Sequence, residues 1–69
     1  MKLSARNVLK GKIVEVKRGA TTAHVRIQLP GGAVITSSIT NEAAEELRLV
    51  TGEDAYAVIK ASDVMVGRD

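Results

Sequence analysis

Residues 22–32 read Thr-Ala-His-Val-Arg-Ile-Gln-Leu-Pro-Gly-Gly. The first eight alternate strictly between apolar and polar side chains, which predicts a half-buried β-strand over Thr22–Leu29. Its apolar phase consists of Ala23, Val25, Ile27 and Leu29. Pro30, with its fixed φ, and the two permissive glycines after it predict a hairpin connection. The next stretch, Ala33–Thr40, is rich in Val, Ile and Thr and is predicted to be the following strand.

Another strand is predicted before this hairpin, over Leu9–Lys17. Its apolar residues change from one phase of the alternation to the other at Ile13-Val14. This slip predicts a β-bulge or a sharp bend in the strand. Gly11 also favours local bending, and Arg18-Gly19 indicates the turn that leads into the hairpin.

The sequence contains one helix candidate, which is predicted to begin near Asn41. Asn is a favoured N-cap residue, and Glu42 and Glu45 suit the positive end of the helix dipole. The helix is not expected to continue beyond Arg48, because Val50-Thr51-Gly52 is typical of a loop.

Two further strands are predicted after the helix, Tyr56–Lys60 and a short one over Val64–Val66. Short strands with one helix inserted between the third and the fourth are typical of a small barrel. The expected fold class is therefore all-β with one short helix, an OB-like five-stranded β-barrel, and an SH3-like barrel is the nearest alternative. Residues 1–69 are expected to form a single domain.

Composition limits the ways in which so short a chain can be stabilised. The sequence has no Cys, one His and a single aromatic residue, Tyr56. Disulfides, a zinc thiolate site and an aromatic-rich core are therefore excluded. Oligomerisation remains, so we expect a homo-oligomer with closed symmetry, with a marginal monomer rich in Val and Ile as the alternative.

Charge and motifs argue against several functional classes. The net charge is +2 and the basic residues are scattered, so no nucleic-acid footprint is present, and a single aromatic residue, Tyr56, does not make a base-stacking platform. No apolar run approaches membrane-spanning length, and Met1–Ser4 lacks the apolar region of a signal peptide, so we expect a cytoplasmic protein without a membrane partner. The one candidate base, His24, lies on the polar face of its strand and is expected to be a solvated surface residue. Since no P-loop, activated nucleophile or metal-ligand spacing occurs, enzyme activity is not expected.

The segment Ser4-Ala5-Arg6-Asn7 carries the clearest functional signal. Its hydroxyl, guanidinium and amide groups are hydrogen-bond donors suited to a small oxyanion. On a chain that needs partners, such a cluster indicates an anion site shared between subunits. Taken without further information, Arg6 could instead pair with Glu15 or Asp63 at the surface, and Lys60 could be a solubility charge at a strand end.

This segment, followed by Leu9-Lys10-Gly11, resembles the opening of the molbindins, or Mop proteins, the free-standing form of the molybdate-binding TOBE domain. The similarity continues through Lys17-Arg18-Gly19, Ile35-Thr36-Ser37 and the run Val58–Met65, so it spans nearly the whole chain. The resemblance implies an OB-like barrel assembled as a homo-hexamer, a trimer of dimers. It also implies no cofactor, and molybdate as the ligand, with tungstate as a second candidate ion.

The resemblance further implies two classes of interface site. One combines the opening motif of one subunit with the lysine segment of its neighbour, which here means Ser4, Ala5 and Arg6 facing Lys60, Ala61 and Ser62. The other lies near a three-fold axis and would use the turn formed by Gly19, Ala20, Thr21 and Thr22. Several relatives have a hydroxyl where this chain has Ala61. We expect the Ala61 N–H to serve instead, because Ser62 would face the opposite side of an extended strand.

These observations favour cytoplasmic binding, storage or buffering of molybdate. A donor-rich site would reject phosphate, which keeps a proton for part of the time near neutral pH, and would exclude sulfate only by size. A small adaptor or regulatory barrel that binds a protein is the first alternative. A single-stranded nucleic-acid binder is the second.

Overall fold

The protein is built on one antiparallel sheet of four strands. A computed structural model describes all residues from Met1 to Asp69. The strand order in the sheet is β3-β2-β1-β4. In chain order the elements are β1 (Asn7–Arg18), β2 (Thr22–Gln28), β3 (Val34–Thr40), α1 (Asn41–Glu46), β4 (Asp54–Ile59) and a 3₁₀ turn (Ala61–Asp63). The predicted mainly-β architecture with one short helix is confirmed.

Strand β1 is bent by a bulge, as the slip in its apolar pattern predicts. The register between β1 and β2 shifts between Ile13 and Glu15, so Val14 is the extra residue on β1. Because of this extra residue, Val16 packs on the core side together with Ile13, although the two are three positions apart. The bulge increases the local twist and helps the sheet to curl.

The sheet curls around a small core. Ile27 and Ile35 line a cavity of about 400 Å³ together with residues 56–59 of β4, although β3 and β4 are the two edges of the sheet. The buried cluster consists of Ile13, Val25, Ile27 and Ala57. Only seven of the 69 residues are buried, so a single copy removes little apolar surface from water.

Helix α1 is capped one residue earlier than predicted. The N-cap is Thr40, whose Oγ1 accepts a hydrogen bond from the Ala43 N–H at 3.0 Å. Asn41 is the first helical residue, which leaves its side chain free for another contact. The helix ends at Glu46, within the predicted limit, and Arg48 takes a left-handed φ of 51° as the chain leaves it.

The predicted fifth strand over Val64–Val66 does not form, and the sheet is a half-barrel of four strands rather than a closed barrel of five. After β4 the chain enters the 3₁₀ turn, in which the Asp63 N–H donates to the Lys60 carbonyl oxygen at 2.9 Å. The turn takes the chain off the line of β4, and residues 64–66 pair with no other strand. Met65 and Val66 are consequently 94% and 93% exposed.

Strands β1 and β2 approach each other closely at Gly11. A Cβ atom at this position would lie 2.6 Å from both the Gln28 carbonyl oxygen and Ile27 Cγ2. Any side chain larger than hydrogen would therefore push β1 away from the end of β2. The pattern predicted bending at Gly11, and the structure shows that close backbone contact is the reason for the glycine.

We expect Gly11→Ala to lower the free energy of unfolding by about 1–3 kcal/mol, because the new methyl group overlaps backbone that cannot easily move. Urea denaturation at a fixed protein concentration measures this change. Gly67→Ala is the matched control, since a Cβ there meets nothing within 4 Å. Equal stability of the two variants would contradict the steric role of Gly11.

Candidate functional site

The two segments predicted to form the first site lie side by side at one end of the protein. Strands β1 and β4 are antiparallel, and their register begins with Asn7 opposite Ile59. The residues just before β1 and just after β4 therefore leave the sheet next to each other. These are the segments Ser4–Arg6 and Lys60–Ser62, so a single chain carries both sets of predicted ligands at the same end of the sheet.

Asn7 ties this end of the sheet together. Its Nδ2 donates a hydrogen bond to the Ile59 carbonyl oxygen at 3.2 Å, across the β1–β4 pair. One of its two N–H groups is thus already used within the protein. The amide therefore holds together the two strand ends that adjoin Arg6 and Lys60, a structural role that differs from the oxyanion-donor role its place in the segment suggested.

Neither Arg6 nor Lys60 forms a salt bridge. The surface pair that the sequence allowed between Arg6 and Glu15 or Asp63 is not made. The salt bridges of the structure are Lys10–Asp54, Lys12–Asp54 and Arg18–Glu45. Both free cations are exposed in the single chain, as are Ser4 and Ser62. An anion held here is enclosed only if a second surface covers these residues.

The segment after Lys60 offers more donors than an extended strand would. The first bond of the 3₁₀ turn is donated by the Asp63 N–H, so the turn uses neither the N–H of Ala61 nor that of Ser62. Because residues 61–63 are not extended, the expectation that Ser62 faces away from Ala61 loses its basis. The Ser62 hydroxyl and both N–H groups are therefore available on this exposed turn.

The second predicted site lies at the other end of β1, at the turn into β2. The Gly19 N–H closes this turn by donating to the Thr22 carbonyl oxygen at 2.7 Å. Of the four predicted residues, Gly19 and Thr22 line a pocket of about 220 Å³, whereas Ala20 and Thr21 do not. We call this the turn pocket; its lining residues are Lys17, Arg18, Gly19, Thr22 and His24.

Sequence reasoning did not include Lys17 and His24 among the candidate ligands. The two residues are directly opposite each other in the β1–β2 register, and both are exposed on the outer face of the sheet. The sequence carried a usable signal, because a short turn fixes register, and counting outward from it pairs Lys17 with His24. The turn residues that were predicted as ligands, Gly19 to Thr22, rest instead on the family resemblance.

The start of α1 holds the turn in place. The Asn41 N–H donates to the Thr21 carbonyl oxygen at 3.1 Å, and Asn41 Nδ2 donates to the Gly19 carbonyl oxygen at 3.1 Å. Arg18 Nη1 donates to Glu45 Oε1 at 2.7 Å, which adds a second link to the helix. The two Asn41 bonds occupy the carbonyl oxygens of Gly19 and Thr21, so fewer backbone acceptors of the turn are free to face a ligand.

Comparison with known proteins identifies the family. Residues 3–66 match the TOBE domain family over most of the chain. The chain is a TOBE domain. The family resemblance inferred from the sequence is thereby confirmed, and it rests on matches outside the four-residue opening motif as well as within it.

Relatives of this TOBE domain carry molybdenum in their names. The chain is 51% identical to the probable molybdenum-pterin-binding protein of Haemophilus influenzae, over 97% of each chain. It matches the structure of MopII from Clostridium pasteurianum at 45% identity with a TM-score of 0.91, covering 97% of this chain and 100% of MopII. It also matches the cytoplasmic molybdate-binding protein ModG, in a molybdate-bound form, at 49% identity with a TM-score of 0.90, covering 94% of this chain and 46% of ModG.

No group of three or more His, Cys, Asp or Glu side chains is arranged to hold a metal ion. Neither helical segment is long and apolar enough to span a membrane.

We expect Asn41→Ala to loosen the turn without unfolding the protein, because it removes the Nδ2 bond to Gly19. A typical hydrogen bond contributes about 1 kcal/mol, so the Gly19 amide should exchange with deuterium about fivefold faster. Hydrogen exchange followed by NMR measures this rate. Glu42→Ala, at the next position of the same helical turn, is the control and should leave the rate unchanged. Equal exchange rates in the two variants would show that Asn41 does not hold the turn.

Proposed function

We propose that this TOBE domain, acting over residues 1–69 as one unit, binds molybdate and stores or buffers it in the cytoplasm. The observation that carries the proposal is the proximity of two donor-rich segments whose cations, Arg6 and Lys60, have no carboxylate partner. Binding, rather than catalysis, is the activity that follows from a site made of donors alone.

The relatives support both the ligand and the location. The H. influenzae relative is named as a molybdenum-pterin-binding protein and matches over nearly its whole length. ModG is described as a cytoplasmic molybdate-binding protein and has a molybdate-bound form. A chain this similar to both is expected to bind the same oxyanion in the same compartment.

The proposed ligands match the chemistry of the ion. Molybdate is a tetrahedral dianion whose four oxygens accept hydrogen bonds and carry no proton at neutral pH. Arg6 and Lys60 would supply charged donors, each contributing about 1.5–3 kcal/mol. The remaining proposed donors are the Ser4 hydroxyl, the N–H groups of Ala5 and Ala61, and Ser62. Enclosing a dianion costs several kcal/mol, so cations of this kind are needed to offset it.

The same donor set explains the proposed selectivity. Phosphate near neutral pH keeps a proton for part of the time, and a site without acceptors leaves that P–OH group unpaired at a cost of about 1–3 kcal/mol. Sulfate has no such proton and is rejected only because a cavity built for longer metal–oxygen bonds fits it loosely. Tungstate is nearly the same size as molybdate, so we propose that the site binds both with little preference.

We further propose that the functional form is a homo-hexamer, a trimer of dimers. Arg6 and Lys60 are exposed in one copy, and in the assembly the opening segment of one copy, Ser4–Arg6, would face the lysine segment of its neighbour, Lys60–Ser62, and enclose the ion between them. The exposed apolar residues Leu3, Met65 and Val66 and the open cavity between β3 and β4 support such association. The second class of site, formed by Gly19, Ala20, Thr21 and Thr22, would then lie near the three-fold axis.

We expect Arg6→Ala and Lys60→Ala each to weaken molybdate binding at least tenfold, because each removes a charged hydrogen bond from the enclosed ion. Isothermal titration calorimetry with molybdate measures the affinity, and sulfate and phosphate should give little heat. Arg68→Ala, which removes another exposed arginine, is the control and should bind like the unaltered protein. Unchanged affinity in both test variants would remove this site, and absence of heat with every oxyanion would favour the adaptor function.

Native mass spectrometry with and without molybdate tests the assembly. We expect six subunits, and a shift of any smaller species toward the hexamer when molybdate is added, because an anion bound between copies stabilises their contact. A monomer at micromolar concentration in both conditions contradicts the proposed assembly.

A further inference from the structure

The turn pocket holds a lysine and a histidine side chain that form no ion pair with a carboxylate. Of its residues, Arg18 is already bound to Glu45 at 2.7 Å. Lys17 and His24 form no salt bridge and no side-chain hydrogen bond. No Asp or Glu lines the pocket. Its volume of about 220 Å³ is large enough for a small tetrahedral ion.

We propose that Lys17 and His24 make the turn pocket a proton-linked oxyanion site, which holds a tetrahedral dianion more tightly when the His24 imidazole is protonated. The identity of the ion as molybdate rests on the proposed function. The part played by Lys17 and His24 rests on the pocket itself.

The register places the two side chains on the same edge of the pocket. Lys17 is opposite His24 in the β1–β2 pair, and Thr22 lies two residues from His24 on the same outer face. An ion seated against the turn therefore meets the Lys17 ammonium, the Thr22 hydroxyl and the imidazole together. The carbonyl oxygens of Gly19 and Thr22 already accept hydrogen bonds, which reduces their repulsion of an anion.

Protonation changes what His24 offers to the ion. A neutral imidazole has one N–H donor and one nitrogen lone pair, and the lone pair repels an anionic oxygen. The imidazolium has two N–H donors and a positive charge. One added charge at contact distance in an exposed site is worth a change of about fivefold in affinity.

The neighbours of His24 form no salt bridge with it. The groups that share its face of the sheet are Lys17 and Glu15 on β1, Arg26 on its own strand, and the hydroxyls of Thr36, Ser38 and Thr40 on β3. Glu15 is the only carboxylate among them, and its register partner is Arg26 rather than His24. On α1, Glu45 is bound to Arg18. Glu15 forms no salt bridge, so the partners available to a protonated imidazole are this diagonally placed carboxylate and an anion bound in the turn pocket.

The sign of the pH effect follows from linkage. An anion in the pocket stabilises the imidazolium, so binding takes up a proton. Affinity should be highest below the titration range of imidazole, which lies between about pH 5 and 8, and should fall as pH rises through it. Molybdate itself stays a dianion near neutral pH, so a change in affinity there reports on the protein.

The solitary histidine makes the direct test unambiguous. We would follow the Hε1 resonance of His24 by NMR as a function of pH, with and without saturating molybdate. We expect molybdate to move the midpoint of this titration to higher pH, and to do so equally in Arg6→Ala, which lacks the terminal site. If calorimetry shows bound molybdate while the His24 midpoint stays in place, the inference is overturned and the proposed function survives. If neither method detects any molybdate, both are overturned.

Calorimetry at about pH 6 and about pH 8 gives the second test. We expect affinity at the turn pocket to be about fivefold higher at the lower pH in the unaltered protein. His24→Gln should abolish this difference, and Lys17→Gln should weaken binding at both pH values. Arg26→Gln, which removes the neighbouring cation on the same strand face, is the matched control and should keep the pH dependence. A pH dependence that persists in His24→Gln would overturn the role of His24.

Discussion

The close passage of β1 over the end of β2 is the constraint on which the rest of the structure depends. At Gly11 the two backbones leave no room for a Cβ, and three residues later the bulge at Val14 shifts the register of the pair. Together they bend β1 enough to curl four strands around Ile13 and its neighbours. A flat sheet of the same sequence would have no enclosed side, because so few residues are buried even with the curl.

Strand β1 also determines where the two candidate sites lie. Its 12 residues connect the two candidate sites, with Arg6 just before its first residue and Lys17 near its last. At about 3.3 Å per residue these cations are roughly 35 Å apart along the strand, several times the Debye length of about 8 Å. Within one copy, an ion at one end therefore has no direct electrostatic influence on the other. Any coupling between the two proposed sites has to pass through strand β1 itself or through contacts between copies.

Features of the fold that follow from the burial of side chains were predictable from the sequence. Features that follow from the geometry of individual contacts were not. Alternation over Thr22–Leu29 and the slip at Ile13-Val14 were visible because each inward position must be apolar. The cap was misplaced because Thr40 and Asn41 are both good N-cap residues, and only the Oγ1 bond to Ala43 distinguishes them. The apolar run Val64–Val66 was predicted to be a strand. An apolar pattern indicates that residues are buried, but it does not show whether the same copy or another copy covers them. The pairing of Lys17 with His24 was missed because the strand alternation gives the face of each residue, whereas its partner follows only when the register is counted outward from the turn.

The small core and the free cations lead to one physical account of the proposed function. A single copy leaves Met65 and Val66 almost fully exposed, and it leaves Arg6 and Lys60 without counter-ions. Bringing copies together would bury the apolar residues, which is favourable, but it would also bring like charges into a poorly hydrated space, which is not. A dianion placed among those charges makes the electrostatic contribution to association favourable. The favourable burial of the apolar residues is unchanged. Under the proposed assembly, the ion is therefore part of the subunit contact, and the stability of the contact depends on the concentration of the ion.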